Sequence, residues 1–179
     1  AGGNGATASG SYAVALGSSA RASSSGAVAL GISPRATRTA ALALGREAAA
    51  DGIDAVAIGR NATAMEESAI AIGSAATAAG RGAVAISTSH ATTSGASAGS
   101  NSIAIGRSVH ASGGGIALGQ RASTGSYDGS FVLNTNPYYS LTSTVPFQFV
   151  TRFTGGYRLY TNGANTTGCS LNSGGGQWS

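Results

Sequence analysis

The stretch AVALG at 13–17 is repeated as AVALG at 27–31, ALALG at 41–45, AVAIG at 55–59 and AIAIG at 69–73. Three further copies are AVAIS at 83–87, SIAIG at 102–106 and GIALG at 115–119, and most copies lie fourteen residues apart. A fixed short period is typical of one supersecondary unit stacked on itself. The chain is therefore predicted to form a solenoid rather than a globule, which favours binding or scaffolding over catalysis.

Alternation within each copy predicts a β-strand. In the first copy, Val14 and Leu16 point to one face, Ala13 and Ala15 to the other, and Gly17 then turns the chain. A second, short strand is predicted at Ala20-Arg21-Ala22, so that each fourteen-residue coil adds one rung to a flat parallel β-roll. We expect the large aliphatic side chains to face inward, against the small alanines of the short strand.

The opposite face of the long strand would then carry a smooth stripe of alanines. Left in water, this stripe would be a long apolar patch, and a roll this thin is short of core. The alanines are therefore predicted to contact another chain. The predicted contact residues are Ala13, Ala15, Ala27, Ala29, Ala41, Ala43, Ala55, Ala57, Ala69 and Ala71.

Aromatic residues divide the chain into two predicted regions, a repeat array over 1–125 and a small β-rich segment over 126–179. Tyr12 is the one aromatic residue before position 127. The second region is predicted to contain short strands, with Asn162-Gly163 as a hairpin turn. Its tyrosines, such as Tyr138 and Tyr139, suit either a glycan-stacking surface or a β-domain core, and the small size of the region favours a core. The lone Cys169 is interpreted as a buried free thiol rather than an exposed redox site.

Composition excludes several classes of partner. The ten basic residues are all arginines, and the net charge of +4 is spread along the chain. Nucleic-acid binding needs a dense basic patch, so it is not expected. No apolar run approaches the ~20 residues of a membrane span, and AGGNGATASG at the N-terminus is not a signal peptide. No direct membrane insertion is expected in this segment.

The repeat resembles the heads of YadA-like trimeric autotransporter adhesins, whose coils carry an S-[VI]-A-I-G pattern. Asn101-Ser102-Ile103-Ala104-Ile105-Gly106 fits it best, and the likeness covers roughly residues 3–125. The resemblance implies an all-β, left-handed parallel β-roll assembled as a homotrimer. It also implies an extracellular passenger on the bacterial cell surface, belonging to an outer-membrane protein that attaches to host matrix proteins, surface glycans or cells.

A second resemblance concerns the end of the chain. The stretches FQFVTRFTGGYRLYT at 147–161 and GGGQWS at 174–179 are similar to the segment that leads into self-cleaving intramolecular-chaperone domains. Such domains end phage tail fibres and some surface proteins. The alternative function is therefore a structural or receptor-binding segment of a virion tail fibre, matured by a downstream chaperone domain.

No catalytic, metal or cofactor site is predicted. A glycosidase needs two carboxyl groups facing each other across a cleft, whereas five of the acidic residues fall in predicted turns. Glu67 and Arg81 are fourteen residues apart and should form a surface ion pair between adjacent coils, worth less than ~1 kcal/mol. The two histidines have no Cys or carboxylate at ligand spacing, and no nucleophile elbow is present. A non-enzymatic protein without cofactors is predicted.

The candidate binding residues lie outside the predicted core. They are Arg21, Arg35, Arg46, Arg60, Arg107, His90 and His110. Arg21 and Arg35 occupy the outward position of the short strand, and the other arginines directly follow a motif glycine. Regularly spaced arginines suit sulfated glycans and other acidic ligands, or they keep an alanine-rich rod soluble. Five extra residues within Thr88–Asn101 predict an outward loop, either for recognition or as a tolerated insertion.

Overall fold

The computed structural model describes residues 1–89, 95–153, 156–160 and 168–171. Regular structure in these ranges consists of β-strands, and none of it is a helix that could cross a membrane. Long and short strands alternate along the chain as far as Arg152, and a separate pair of strands follows.

The strand bounds follow the repeat. The long strands are β2 (Val14–Leu16), β4 (Val28–Leu30), β6 (Leu42–Leu44), β8 (Val56–Ile58), β10 (Ile70–Ile72), β12 (Val84–Ser87), β14 (Ile103–Arg107), β16 (Ile116–Gln120), β18 (Phe131–Asn134) and β20 (Phe149–Arg152). The short strands are β1 (Thr7–Ala8), β3 (Arg21–Ala22), β5 (Arg35–Ala36), β7 (Ala49–Ala50), β9 (Thr63–Ala64), β11 (Thr77–Ala78), β13 (Ser97–Ala98), β15 (His110–Ala111), β17 (Ala122–Ser123) and β19 (Leu141–Thr142). The last pair is β21 (Tyr157–Tyr160) and β22 (Gly168–Leu171).

The two strand types form two parallel sheets that share one roll. The ten long strands make one ten-stranded sheet and the ten short strands make the other, each in sequence order. Register follows the period, so that Ala71 pairs with Ala57 of the preceding coil and with Ala85 of the next. With ~4.8 Å between strands, ten coils give a rod about 45 Å long. The predicted parallel β-solenoid of fourteen-residue coils is confirmed.

The motif glycines allow close approach between coils at the corner that follows each long strand. Gly59 has a φ of 130°, and a Cβ added there would lie 2.6 Å from the carbonyl oxygen of Gly73 in the next coil. Its amide donates to the carbonyl of Leu44 in the preceding coil at 2.8 Å. A side chain at Gly59 would push the coils apart, which explains the glycine that ends most copies; Ser87 and Asn134 stand at the equivalent position in two later coils.

The core consists mainly of alanine, and the predicted inward orientation of the aliphatic residues is wrong. A typical coil buries four alanines completely, for example Ala55, Ala57, Ala62 and Ala64. In the coils of the regular repeat, the two sheets are joined by such short corners that alanine methyl groups fill the space between them, and later coils also bury Val109 and Val132. Because side chains alternate along a strand, burying the central alanine of the long strand turns both of its aliphatic neighbours outward.

This orientation corrects the predicted alanine contacts. Nine of them are fully buried inside the roll and cannot touch another chain: Ala15, Ala27, Ala29, Ala41, Ala43, Ala55, Ala57, Ala69 and Ala71. Ala13 is half-buried and packs against the same core. The opposite side of the long strands carries the aliphatic side chains, among them the exposed Val14, Leu16 and Leu44.

The roll also extends past the predicted boundary between residues 125 and 126. β18 pairs with β16, β20 pairs with β18, and β19 pairs with β17, all in parallel register. Phe131-Val132-Leu133-Asn134 therefore occupies the place of a repeat copy, with Val132 buried where alanine lies in earlier coils. Residues up to Arg152 belong to the same architecture as the repeats.

The later coils replace part of the alanine core with hydrogen-bonded polar side chains. Ser102 Oγ donates to the carbonyl of Gly99 at 2.6 Å, and Ser143 Oγ donates to that of Thr124 at 2.6 Å. Asn134 is fully buried and donates to the carbonyl of Gln120 at 2.7 Å. Within the described residues, every buried side-chain nitrogen and oxygen has a partner, so this end of the roll is specified by polar contacts as well as by packing.

The strands after the roll form an antiparallel pair. β21 pairs with β22, which brings Leu159 opposite Cys169. The predicted turn at Asn162-Gly163 and the environment of the Cys169 thiol lie outside the described residues and side chains. Tyr157 is half-buried and packs edge-on against Phe153, with ring centroids 5.3 Å apart.

Candidate binding surfaces

The outer face of the long-strand sheet is apolar along its whole length. Two columns of side chains run along it in register, and we call them together the aliphatic face. The first column is Val14, Val28, Leu42, Val56, Ile70, Val84, Ile103, Ile116, Phe131 and Phe149. The second is Leu16, Leu30, Leu44, Ile58, Ile72, Ile86, Ile105, Leu118 and Leu133.

Side chains of the aliphatic face remain in contact with solvent in the single chain. Val14 is 41% exposed and Leu16 is 51% exposed. Near the far end of the face, Phe131 stacks on the exposed Phe149 with ring centroids 5.2 Å apart. Large continuous apolar patches on protein surfaces are typical of interaction sites. The aliphatic face carries no group that could act as an acid, base, nucleophile or metal ligand.

Arg21 and Arg35 lie where the sequence predicts, on the outer face of the short-strand sheet. They are register partners in adjacent coils. The Arg35 guanidinium forms an ion pair with the carboxylate of Asp51, which also accepts a hydrogen bond from Thr37 Oγ1 at 2.9 Å. One of these two arginines is therefore already neutralised on the surface.

Arg46, Arg60 and Arg107 lie on a different surface, the corner that leads from each long strand to the next short strand. Arg46 Nε lies 3.3 Å from the carboxylate of Glu47, and Arg107 donates to the side-chain oxygen of Gln120 at 2.8 Å. Arg60 lies 3.5 Å from the Ser74 hydroxyl. The five candidate arginines thus form two separate groups rather than one strip.

The histidines do not come together. His110 is exposed in the outward row of the short strands, where it pairs in register with Ser97 and Ser123. His90 and the middle of the predicted loop, residues 90–94, lie outside the described residues. Among the described residues, no three His, Cys, Asp or Glu side chains are grouped closely enough to hold a metal ion.

Three of the six acidic residues, Glu47, Asp51 and Glu67, form surface ion pairs with arginines. Glu67 Oε2 lies 2.7 Å from an Arg81 guanidinium nitrogen, which confirms the predicted pair between adjacent coils. Both side chains are largely exposed, so the pair adds less than ~1 kcal/mol to stability. A shallow groove beside Met65 and Glu66 is also lined by Asp51, whose carboxylate is held by Arg35.

Two tyrosines that were predicted to lie in a core are instead exposed. Tyr138 is 81% exposed and Tyr139 is 68% exposed, at a corner of the ninth coil. The sequence feature that precedes this corner is Phe131-Val132-Leu133-Asn134, an alternating apolar stretch in which Asn134 takes the place of the motif glycine Gly119. This feature was missed because the region after residue 125 was interpreted as a different domain.

Comparison with protein families identifies the repeats. The chain is similar to the YadA head domain repeat (2 copies), with matches over residues 1–20, 8–33, 36–64 and 67–86. Comparison with curated proteins and with solved structures found no significant match. The family match falls on coils that carry the aliphatic face on one side and Arg21, Arg35, Arg46 and Arg60 elsewhere on their surface.

Proposed function

Because residues 1–33, 36–64 and 67–86 match the YadA head domain repeat, we propose that the protein is the non-enzymatic head of a trimeric cell-surface adhesin. Repeats of this family form surface-exposed passenger segments of trimeric autotransporters, where they act as adhesin-type structural repeats. The rod holds binding surfaces away from the cell and attaches to host matrix proteins or surface glycans.

The observation that supports assembly is the aliphatic face. In the proposed trimer, three copies bring this face together along the rod axis and remove its side chains from water. Burying apolar area contributes about 25 cal/mol per Å², so a face that repeats in ten coils supplies a large driving force. Association supplies the core that a roll filled with alanine methyl groups lacks by itself.

The exposed arginines are the proposed contacts for acidic groups on the host. Arg21, Arg46 and their equivalents occupy surfaces that the aliphatic face leaves free. Three copies in one head, and many heads on one cell, multiply a weak contact by avidity. A shallow, repeated mode of adhesion fits a rod whose described surface carries ion pairs and hydroxyl groups.

The assembly is tested by light scattering and analytical ultracentrifugation at micromolar concentration. The parent should have three times the 17.2 kDa mass of one chain. Leu44→Asp would place three carboxylates against an apolar interface and should abolish the trimer. Ser18→Asp adds the same charge at an exposed turn and should leave the trimer intact. A parent that is folded and monomeric at this concentration would refute the proposal.

The phage-fibre alternative rests on the stretches at 147–161 and 174–179. Much of the first stretch and all of the second lie outside the described residues and side chains, so this alternative stays a prediction. The gene context distinguishes the two. A membrane β-barrel encoded downstream supports the adhesin, and a chaperone domain encoded among virion genes supports the fibre.

A further inference from the structure

One corner of the roll departs from the repeat. Three residues lie between Gly119 and Ser123, which is in the short strand that follows. In the next coil, Asn134 pairs with Gly119 and Thr142 pairs with Ser123, but seven residues lie between Asn134 and Thr142. The corner therefore contains four additional residues and projects beyond its neighbours. Loops that project from a rigid scaffold are where proteins place recognition residues.

This corner is held by a network of side-chain hydrogen bonds. Asn134 donates through Nδ2 to the carbonyl of Gln120 in the preceding coil at 2.7 Å and to that of Tyr139 at 2.8 Å. Its Oδ1 accepts from the amide of Asn136 at 3.2 Å. Asn136 Oδ1 in turn accepts from the amides of Tyr138 at 2.8 Å and Tyr139 at 3.0 Å. The backbone that carries both tyrosines is thus fixed in the unbound chain.

The next coil holds the other end of the corner. Arg152 Nη1 donates to the carbonyl of Ser140 at 3.1 Å, and Thr135 Oγ1 donates to the carbonyl of Arg152 at 3.3 Å. Two aromatic rings are therefore presented to solvent on an ordered backbone. A ligand that binds them does not have to order the loop, which removes part of the entropic cost of association.

The surroundings of the tyrosines are basic. Arg107 and Arg121 are exposed on the preceding corners, and Gln120 lies between them. Within the described residues, the Arg121 guanidinium forms no ion pair or side-chain hydrogen bond, and no Asp or Glu follows Asp128 in this sequence. Because Asp128 belongs to the opposite corner, before β18, arginines set the charge beside the tyrosines.

We propose that the corner 134–140, together with Arg121, binds an acidic oligosaccharide. A tyrosine ring is a flat apolar surface with a polar tip, which suits the C–H face of a sugar ring and its hydroxyl rim. Arginine matches a carboxylate or sulfate group in geometry and charge. A single projecting corner is narrow compared with the roughly 800 Å² per partner of a stable protein interface, and this favours a saccharide. The inference rests on the proposed adhesive function and names its ligand class.

The test uses isothermal titration calorimetry of the full chain with three probes. These are 3′-sialyllactose, a heparin-derived tetrasaccharide and neutral lactose. The parent should bind at least one acidic probe and should bind lactose at least tenfold more weakly. Tyr138→Ala/Tyr139→Ala and Arg121→Gln should each weaken acidic binding at least tenfold. Two matched controls should bind like the parent: Tyr12→Ala, which removes a ring that is 93% exposed at the other end of the rod, and Arg38→Gln, which removes an exposed arginine distant from the corner.

Three results would overturn the inference: a parent that binds neither acidic probe, lactose binding as tight as acidic binding, or a double tyrosine variant that binds like the parent. Light scattering of the same variants separates this outcome from failure of the proposed function. If the double tyrosine variant loses the trimer, the tyrosines are assembly contacts and the saccharide assignment is wrong. A trimer that persists without saccharide binding rejects the site alone.

Discussion

Replacing Gly59 with alanine should destabilise the roll far more than the same replacement at Gly26. The φ of Gly59 is 130°, a region that residues with a Cβ avoid, and occupying it costs about 1–3 kcal/mol. The new Cβ would lie 2.6 Å from the Gly73 oxygen and 2.7 Å from its carbonyl carbon. Both are backbone atoms of the next coil, so the coils must separate, at an overpacking cost of about 1–3 kcal/mol. The expected loss is about 2–6 kcal/mol.

Gly26 provides the matched control. Its φ of 66° lies in the left-handed helical region, and the nearest atom to an added Cβ is Cα of Ala40 at 3.8 Å. The backbone conformation costs about 1–2 kcal/mol, and the loss of flexibility in the unfolded chain returns about 0.4–1 kcal/mol. A net change of about 1 kcal/mol is expected.

Urea unfolding followed by far-ultraviolet circular dichroism measures both variants against the parent. Light scattering before unfolding checks that the variants and the parent have the same assembly state. All samples are compared at one protein concentration, because the stability of an oligomer depends on it. Equal midpoints for Gly59→Ala and Gly26→Ala would refute the argument, because it would mean that contact between coils at the motif glycine does not limit stability.

Two further predictions follow from the core and from the surface ion pairs. Ala57→Leu inserts three carbon atoms where only a methyl group fits, so it should lower the unfolding free energy by at least about 1–3 kcal/mol; Thr63→Val, on the outer face of the next short strand, is its control and should change stability little. Glu67→Gln removes the exposed pair with Arg81 and should change the unfolding free energy by less than about 1 kcal/mol. A stable Ala57→Leu variant in urea unfolding, or a loss of several kcal/mol for Glu67→Gln, would contradict these assignments.

The fourteen-residue period was sufficient to predict the strands, the corners and the pairing between coils. It placed Glu67 beside Arg81 because any two residues one period apart occupy the same position in adjacent coils. The period could not decide which face of the long strand is buried. Alternation places Val56 and Ile58 on one face of the strand and Ala57 on the other. The distance between the two sheets decides which of these faces can be buried. That distance is set by corners too short for a core of large side chains.

The end of the roll was harder to predict because its coils no longer share the motif. Val132 replaces alanine in the core and Asn134 replaces glycine at the corner, so Phe131–Asn134 did not resemble a repeat. The exposed corner beyond it depends on hydrogen bonds from Asn134 and Asn136 to backbone atoms that are adjacent only after folding. Aromatic content alone suggested a core, whereas the two tyrosines lie outside one.

The register of the two sheets also affects how such a protein can change in evolution. In the regular coils, each strand pairs with the preceding and the following coil through equivalent residues. Ala71, for example, pairs with Ala57 on one side and with Ala85 on the other. Duplicating or deleting fourteen codons in frame therefore adds or removes about 4.8 Å of rod and leaves both junctions chemically unchanged. The length of the rod can therefore change in evolution in equal steps. The distance of the 134–140 corner from the first coil changes with it, while the structure of the corner itself stays the same.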